Sequence, residues 1–398
     1  DIHHRVLEDG FGAAGWFLET ARQSGVDPEL MRCFSDSVRD QSNLDEGQLA
    51  LVQEGFRFFA TEVDGLIKNG GSQDSTYLLA YELFQNAGMD ARADRAKEVL
   101  RWLGRMPLDV ELNVEASADL SRLEKLDLTE NLRVKLMEHG VDKSPLFRAL
   151  DALGQLLGEL RAELPPRTSN RLSNRSFRTQ QQAIAKLARQ LRLPELQVWN
   201  GGSAQAGIQA RLLPSPALFI SREVLESEWR GEELFKLGAG MEGFRFSRGA
   251  ILRETPEHLV EILSFVWHCV NGSDEVLDFQ LDEVLGAKLR NRVARLPLRI
   301  VNVIRALELE EISLIKVAAV QSDLRGLFDR MGLIVSGDIG ASLESVLVMD
   351  SETVGLSRQR GGLSQLLEQN WRASSLIQFF LSGMFDEVLN EMSDGVGS

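Results

Sequence analysis

The sequence predicts a mainly α protein with one small sheet, on three observations. Apolar residues recur at three- and four-residue spacing along most of the chain, the period of a helix with one buried face. Turn residues punctuate those runs at short intervals. Convincing strand patterns occur only near residues 196–220. The expected organisation is a helical, repeat-like region at 1–107, a helical connector with a basic linker at 108–194, and a mostly helical α+β domain with a three-stranded sheet at 195–398.

The first region reads as successive amphipathic helices broken at Asp27-Pro28, Asn43-Leu44-Asp45 and Gly70-Gly71-Ser72. One helix pair is clearest. Tyr77, Ala80, Tyr81 and Phe84 share a first helix, Gly88 marks the turn, and Ala93 lies on a second helix. These residues resemble a tetratricopeptide repeat, in which small residues let antiparallel helices approach while aromatics fill the gap. A lone unit needs neighbours to bury its faces, and Ala13 to Lys68 is the expected place for them. An ordinary helical bundle is the alternative.

The connector ends in a helix from Pro145 to Leu164, striped by Leu150, Leu153, Leu156, Leu157 and Leu160 and stopped by Pro165-Pro166. From Pro165 to Pro194 the chain holds seven Lys or Arg residues and no Asp or Glu, with a helix expected at Thr179 to Leu191. This block reads first as a solvated linker. It also offers Arg167, Arg171, Arg175 and Arg178 as candidates for an anionic partner, such as an acidic peptide, phosphate or nucleic acid. Phe177 is its one aromatic, which weakens the nucleic-acid version.

Strands are expected at Leu196 to Trp199, Ala206 to Leu213 and Ala217 to Ile220, with Asn200-Gly201-Gly202 as a turn between the first two. Helices are expected near Glu223–Glu228, Glu232–Phe246, Pro256–Val270, Leu277–Leu289, Pro297–Leu307, Ile312–Ile334, Ile339–Met349 and Ser374–Met392.

A chain of 398 residues with 43% hydrophobic content can bury a large core. Its formal net charge of -15 disfavours general binding to nucleic acid or anionic membrane, which relies on basic surface. Cys33 and Cys269 are far apart and in no ligand-like spacing, so a reducing, cytoplasmic location is expected, with both thiols buried. Apolar runs such as Ile262 to Val270 end well short of the roughly 18 residues that suggest a membrane span. The chain begins at Asp1 rather than methionine, as expected of a piece of a longer protein.

One segment bears on chemistry. Glu233-Leu234-Phe235-Lys236-Leu237-Gly238-Ala239-Gly240-Met241-Glu242-Gly243-Phe244 follows a strand at Ala217 to Ile220 and a short helix entry at Ser221 to Leu225. That order resembles the HtpX-like family of gluzincin metallopeptidases, whose helix reads Glu-Leu-x-x-Val-x-x-His-Glu-x-x-His. Leu324 to Gly332 likewise resembles the family's Glu-x-x-Ala-Asp-Arg segment, with Asp329 and Arg330 matching. The resemblance covers roughly residues 180–350. It implies zinc ligands at the positions of Gly240, Phe244 and Arg325 and a general base at Met241, and none of those side chains can fill the role. The five histidines, His3, His4, His139, His258 and His268, include no pair at i, i+4. Asp329 to Asp338 also reads Asp-Arg-x-Gly-Leu-x-x-x-Gly-Asp, a phrase of large bacterial helical-repeat proteins that the chain resembles. A plain helical domain with chance matches is the alternative.

Two weaker patterns compete. Gly238 to Gly243 satisfies G-x-G-x-x-G, but a charged helical run precedes it where a nucleotide site needs a buried strand, so close helix packing is the expected role. Glu254, His258 and Glu261 would share a helix face, but Pro256 starts that helix and leaves Glu254 ahead of it. No nucleophile elbow, P-loop or kinase signature is present.

The functional expectation is a non-catalytic scaffold or protein- or peptide-binding module, a pseudo-peptidase with no metal and no cofactor. Partners would dock between helices or along the sheet edge. Two alternatives stand beside it: an enzyme with a relocated site around Glu242, Glu254 and His258, and anionic-ligand binding through the basic linker.

Overall fold

The computed structural model describes residues 10–38, 45–69, 74–105, 126, 128, 135–137, 144–160, 170–172, 176–193, 196–201, 207–213, 215–245, 248–272, 281–349, 367 and 369–394. Arg167, Arg175, His3, His4 and His139 lie outside the described residues. The protein is mainly α, with one small sheet, and divides into two compact units. The first comprises Asp1–Glu115 with Val346–Glu387, and the second Ala116–Ser345 with Val388–Ser398.

In the first unit the helices are α1 (Gly10–Ser24), α2 (Pro28–Ser37), α3 (Glu46–Asn69), α4 (Asp74–Asn86) and α5 (Asp90–Trp102). Asp27 caps α2 by accepting a hydrogen bond from the Leu30 amide at 2.7 Å, and Pro28 occupies the first turn, where its missing donor costs nothing. Phe17, Phe34, Phe56 and Phe59 form an aromatic core in which Phe34 meets Phe17 and Phe56 edge-on and Phe59 at a tilt, with ring centroids 4.7 to 6.2 Å apart. A Cβ on Gly55 would stand 2.5 Å from the Phe34 ring, so glycine lets α3 close on α2 there. The helix pair α4–α5 turns at Gly88, whose φ of 69° is left-handed. Tyr77, Ala80, Phe84 and Ala93 are buried as the pattern predicts, while Tyr81 is half-buried.

A later segment completes this unit. Helix α16 (Trp371–Leu381), capped by the Asn370 side chain, packs with α3 and α5. Arg92 donates to the Leu381 carbonyl at 2.6 Å and pairs with Asp64. The Gly383 amide donates to Asp64 at 3.0 Å, and Arg95 pairs with Asp386 at 2.6 Å. Arg92 lies over Phe84 and Arg95 over Phe385, at 4.2 and 5.2 Å. Burial pushes the Arg95 guanidinium below its ordinary pKa, and Asp386 opposes that shift.

The second unit holds α6 (Pro145–Leu160), α7 (Arg178–Gln190), α8 (Arg222–Glu226), α9 (Gly231–Phe244), α10 (Arg248–Ile251), α11 (Pro256–Asn271), α12 (Glu283–Val293), α13 (Leu298–Arg305) and α14 (Leu314–Ser336). Helix α15 (Ile339–Met349) belongs to it through Ser345. The expected single helix at Ser374–Met392 is instead α16 and α17 (Gly383–Asp394). Ser382 is extended between them, and its hydroxyl accepts from the Phe385 amide, which restarts the chain as a new helix.

The sheet has four strands, not the three expected: β1 (Asn170–Arg171), β2 (Gln197–Asn200), β3 (Ile208–Leu212) and β4 (Pro216–Ile220), in the order β1-β2-β4-β3. The extra strand comes from the basic block and is only two residues long, too short to leave a periodic signal. Strands β2 and β4 are parallel, so β4 separates β2 from β3 despite the turn signal at Asn200 and Gly201. Trp199 stacks on Phe219 at 5.9 Å, above Leu213 and Ala217.

Helices α9 and α14 run antiparallel at close range through glycines. A Cβ on Gly238 would stand 2.8 Å from Val335 and 2.9 Å from the Met331 carbonyl oxygen. One on Gly332 would meet the Phe235 ring at 2.6 Å, and one on Gly243 would meet Phe328 at 3.2 Å. Gly337, at φ 68°, ends α14.

Candidate functional site

The site that the protease-like pattern points to lies where α9 passes beside β3. Ser221 starts the approach: its side chain accepts from the Val224 amide and caps α8 directly after β4. At α9 the Glu233 carboxylate accepts from the Arg230 amide at 3.1 Å and fixes the helix start. Lys236, Ala239 and Gly240 then form a half-buried face of α9. A Cβ on Gly240 would stand 3.0 Å from the Ala210 Cβ, and one on Gly207 would stand 3.6 Å from the Lys236 ammonium. That face therefore lies against β3, which ends the sheet on one side.

The side chains there are an ammonium, a methyl group and a hydrogen. Lys236 is paired with Glu232 at 2.5 Å. Met241 is fully buried and Phe244 nearly so, both as core residues. Arg325 is exposed on α14, while Phe244 is buried in the core. The G-x-G-x-x-G glycines are spent on packing, Gly238 and Gly243 against α14 and Gly240 against β3.

Glu232 is the acid at this face, through Lys236, and Glu242 on the same helix points elsewhere. Two residues beyond Gly240 it lies about 200° around the helix. Its side chain is 0% exposed, with Arg248 Nη1 at 3.4 Å. Arg248 also donates to Asp151 of α6 at 2.6 Å and lies over Phe147 at 5.4 Å. The buried Glu242 and Arg248 and the half-buried Asp151 thus join α6, α9 and α10.

The Glu254–His258 pair forms, with Oε2 and Nδ1 2.6 Å apart, but no contact brings Glu261 to it. Thr255 caps α11 by accepting from the His258 amide. The Glu254 main-chain carbonyl accepts from Gln321, so the pair sits at a braced helix start. Among the described residues no three His, Cys, Asp or Glu side chains are placed to share a metal ion.

Of the basic block, Arg171 lies on β1 opposite Trp199, and Arg178 begins α7 after Phe177 at φ 50°; both arginines are exposed. The expectation of two buried thiols is corrected: Cys33 is half-buried and Cys269 exposed. Cys269 follows the buried His268 in the last turn of α11 and falls on the outward side of that turn.

The sequence reading missed a second basic run. Lys288, Arg290, Arg292, Arg295, Arg299 and Arg305 stand with no Asp or Glu between the first and the last. The same charge count that singles out residues 165–194 would have found it.

The fold defines a mainly α protein whose small mixed sheet packs on a glycine-spaced helix pair. Compared with known proteins, the chain matches no family model, no curated protein and no solved structure. No helix among the described residues is long and apolar enough to cross a membrane.

Proposed function

We propose that the chain is a non-catalytic protein- or peptide-binding scaffold, with a second unit built on a degenerate gluzincin-like frame and a first unit built of tetratricopeptide-like helices. The observation that carries the proposal is the face of α9 beside β3. Its side chains are Lys236, held in an ion pair with Glu232, with Ala239 and Gly240, so it offers no histidine, thiol or hydroxyl for catalysis, yet glycine brings the helix close under the last strand of the sheet. An edge strand offers main-chain donors and acceptors to an extended peptide, and alternate side chains supply selectivity. On β3 the alternation sets Gln209 and Arg211, hydrogen-bonded at 3.0 Å, on the face opposite Ala210. The order β4, α8, α9 supports the protease-like part of the reading. The buried Tyr77, Ala80, Phe84 and Ala93 about the Gly88 turn support the repeat-like part.

The test is hydrogen exchange of the Ile208–Leu212 amides with and without a panel of extended peptides. The proposal expects a subset of peptides to slow these amides, and N-methylation of the peptide backbone to abolish the effect. A panel that leaves β3 exchange unchanged would count against the sheet edge as the docking site.

A further inference from the structure

The missed basic run lies beside a concavity of about 360 Å³ lined by Cys269 and Val270 of α11, Arg290, Val293 and Ala294 of α12, and Val301 of α13. Its floor is apolar and its rim cationic. Arg290, Val293 and Ala294 fall at i, i+3 and i+4 on one face of α12, and Leu298, Val301 and Arg305 at i, i+3 and i+7 on one face of α13. Arg290 itself lines the concavity, and Arg305 stands one turn beyond the lining Val301 on the same face of α13.

Among the described residues most of this charge has no carboxylate partner. Within the run only Arg292 has a carboxylate partner, Glu159 at 3.1 Å. Lys288, Arg290, Arg295, Arg299 and Arg305 make no ion pair among the described residues, and all five are exposed. The Arg290 guanidinium is held 5.5 Å above the Phe265 ring. Leu298, on the same face of α13 as Val301, is 71% exposed.

We propose that this surface docks an acidic peptide segment through one apolar anchor side chain, which enters the concavity while flanking carboxylates pair with Arg290 and Arg305. The volume suits one or two side chains. The charge is complementary to a carboxylate-bearing partner: the run's five exposed cations without an ion pair among the described residues form a local basic surface in a chain of net charge -15. A nucleic acid would need a stacking platform, but Phe265, the aromatic ring beside the rim, is covered by Arg290. A bilayer would meet a recessed apolar floor, and the chain's overall negative charge opposes it. This surface is separate from the β3 edge and stands whether or not that edge binds.

The test uses the whole chain with Cys33→Ser, leaving Cys269 as the one thiol. The probe is a fluorescein-labelled peptide of aspartates and glutamates around a single leucine. Three comparison probes accompany it: a twin with alanine for that leucine, phosphatidylserine vesicles and a single-stranded oligonucleotide. The expected result is saturable peptide binding that weakens about tenfold or more in Arg290→Glu/Arg305→Glu and falls with added salt. The alanine twin should bind about tenfold more weakly. Bound peptide should also slow alkylation of Cys269 by N-ethylmaleimide. Peptide binding without protection of Cys269, or binding indifferent to the double charge reversal, would overturn the assignment. So would charge-sensitive binding of vesicles or oligonucleotide with none of the peptide. Protection of β3 amides with Cys269 still reactive would refute this surface and leave the sheet-edge reading intact.

Discussion

Replacing Gly238 by alanine separates close packing from ordinary helix structure. Alanine is favoured over glycine in a helix interior by about 1 kcal/mol, so the change should stabilise any helix with room for a methyl group. At Gly238 there is none. The new Cβ would stand 2.8 Å from both Val335 Cβ and Cγ2 and 2.9 Å from the Met331 carbonyl oxygen. Rotation of Val335 cannot remove its Cβ, and the carbonyl moves only if α14 moves. Overpacking of this kind costs about 1–3 kcal/mol, and the immobile neighbours favour the upper half of that range. The expected net loss is about 1–2 kcal/mol after the propensity gain. Gly286→Ala is the control in the same unit: its nearest neighbour would be Phe265 Cζ at 4.0 Å, an ordinary contact, and it should stabilise by up to about 1 kcal/mol. Because the two compact units can unfold in separate steps, the assay is denaturant-dependent hydrogen exchange of α9 and α14 peptides. A Gly238→Ala protein as stable as wild type, or more so, would refute the packing argument.

Three further perturbations test other parts of the structure. Arg248→Met removes the cation 3.4 Å from the fully buried Glu242 and should cost about 3–5 kcal/mol in a denaturant melt, with Glu242→Gln in the same chain recovering part of the loss. Asp386→Asn removes the carboxylate beside the buried Arg95 and should cost about 2 kcal/mol, since Asp386 is itself partly solvated, read as faster exchange in α5 and α16. Burial, then Glu232 and Asp338, raises the Glu344 pKa, so its contribution is present below the ordinary carboxylate range and lost as pH rises through the raised value. Glu344→Gln should therefore raise thermal stability at neutral pH, with the difference from wild type vanishing as the solution is acidified.

Helices with strong boundary chemistry were legible from sequence. Pro256 after Thr255 starts α11, and Gly272 ends it at φ 66°. Gly88 turns α4 into α5 as the small-residue pattern requires. Long-range relations were not legible, because periodicity reports which face is buried and never against what. The packing of 371–381 with the first helices depends on Arg92 and Arg95 finding partners almost 300 residues later, a relation with no local trace. Strand order failed for the same reason: Asn200-Gly201 resembles a hairpin turn, yet β4 intervenes. At the candidate site the absence of ligand side chains at Gly240, Met241 and Phe244 was legible, because that depends on residue type alone. The closeness of Gly240 to Ala210, and the concavity between α11, α12 and α13, needed coordinates.

The central claim is that the face of α9 beside β3 serves packing and docking and holds no catalytic metal. Its most direct test is the zinc content of tag-free, whole-chain protein by inductively coupled plasma mass spectrometry. The account predicts zinc far below stoichiometric, because Gly240, Phe244 and Arg325 supply no ligand. Zinc near one atom per chain would contradict it and require a ligand set elsewhere in the molecule.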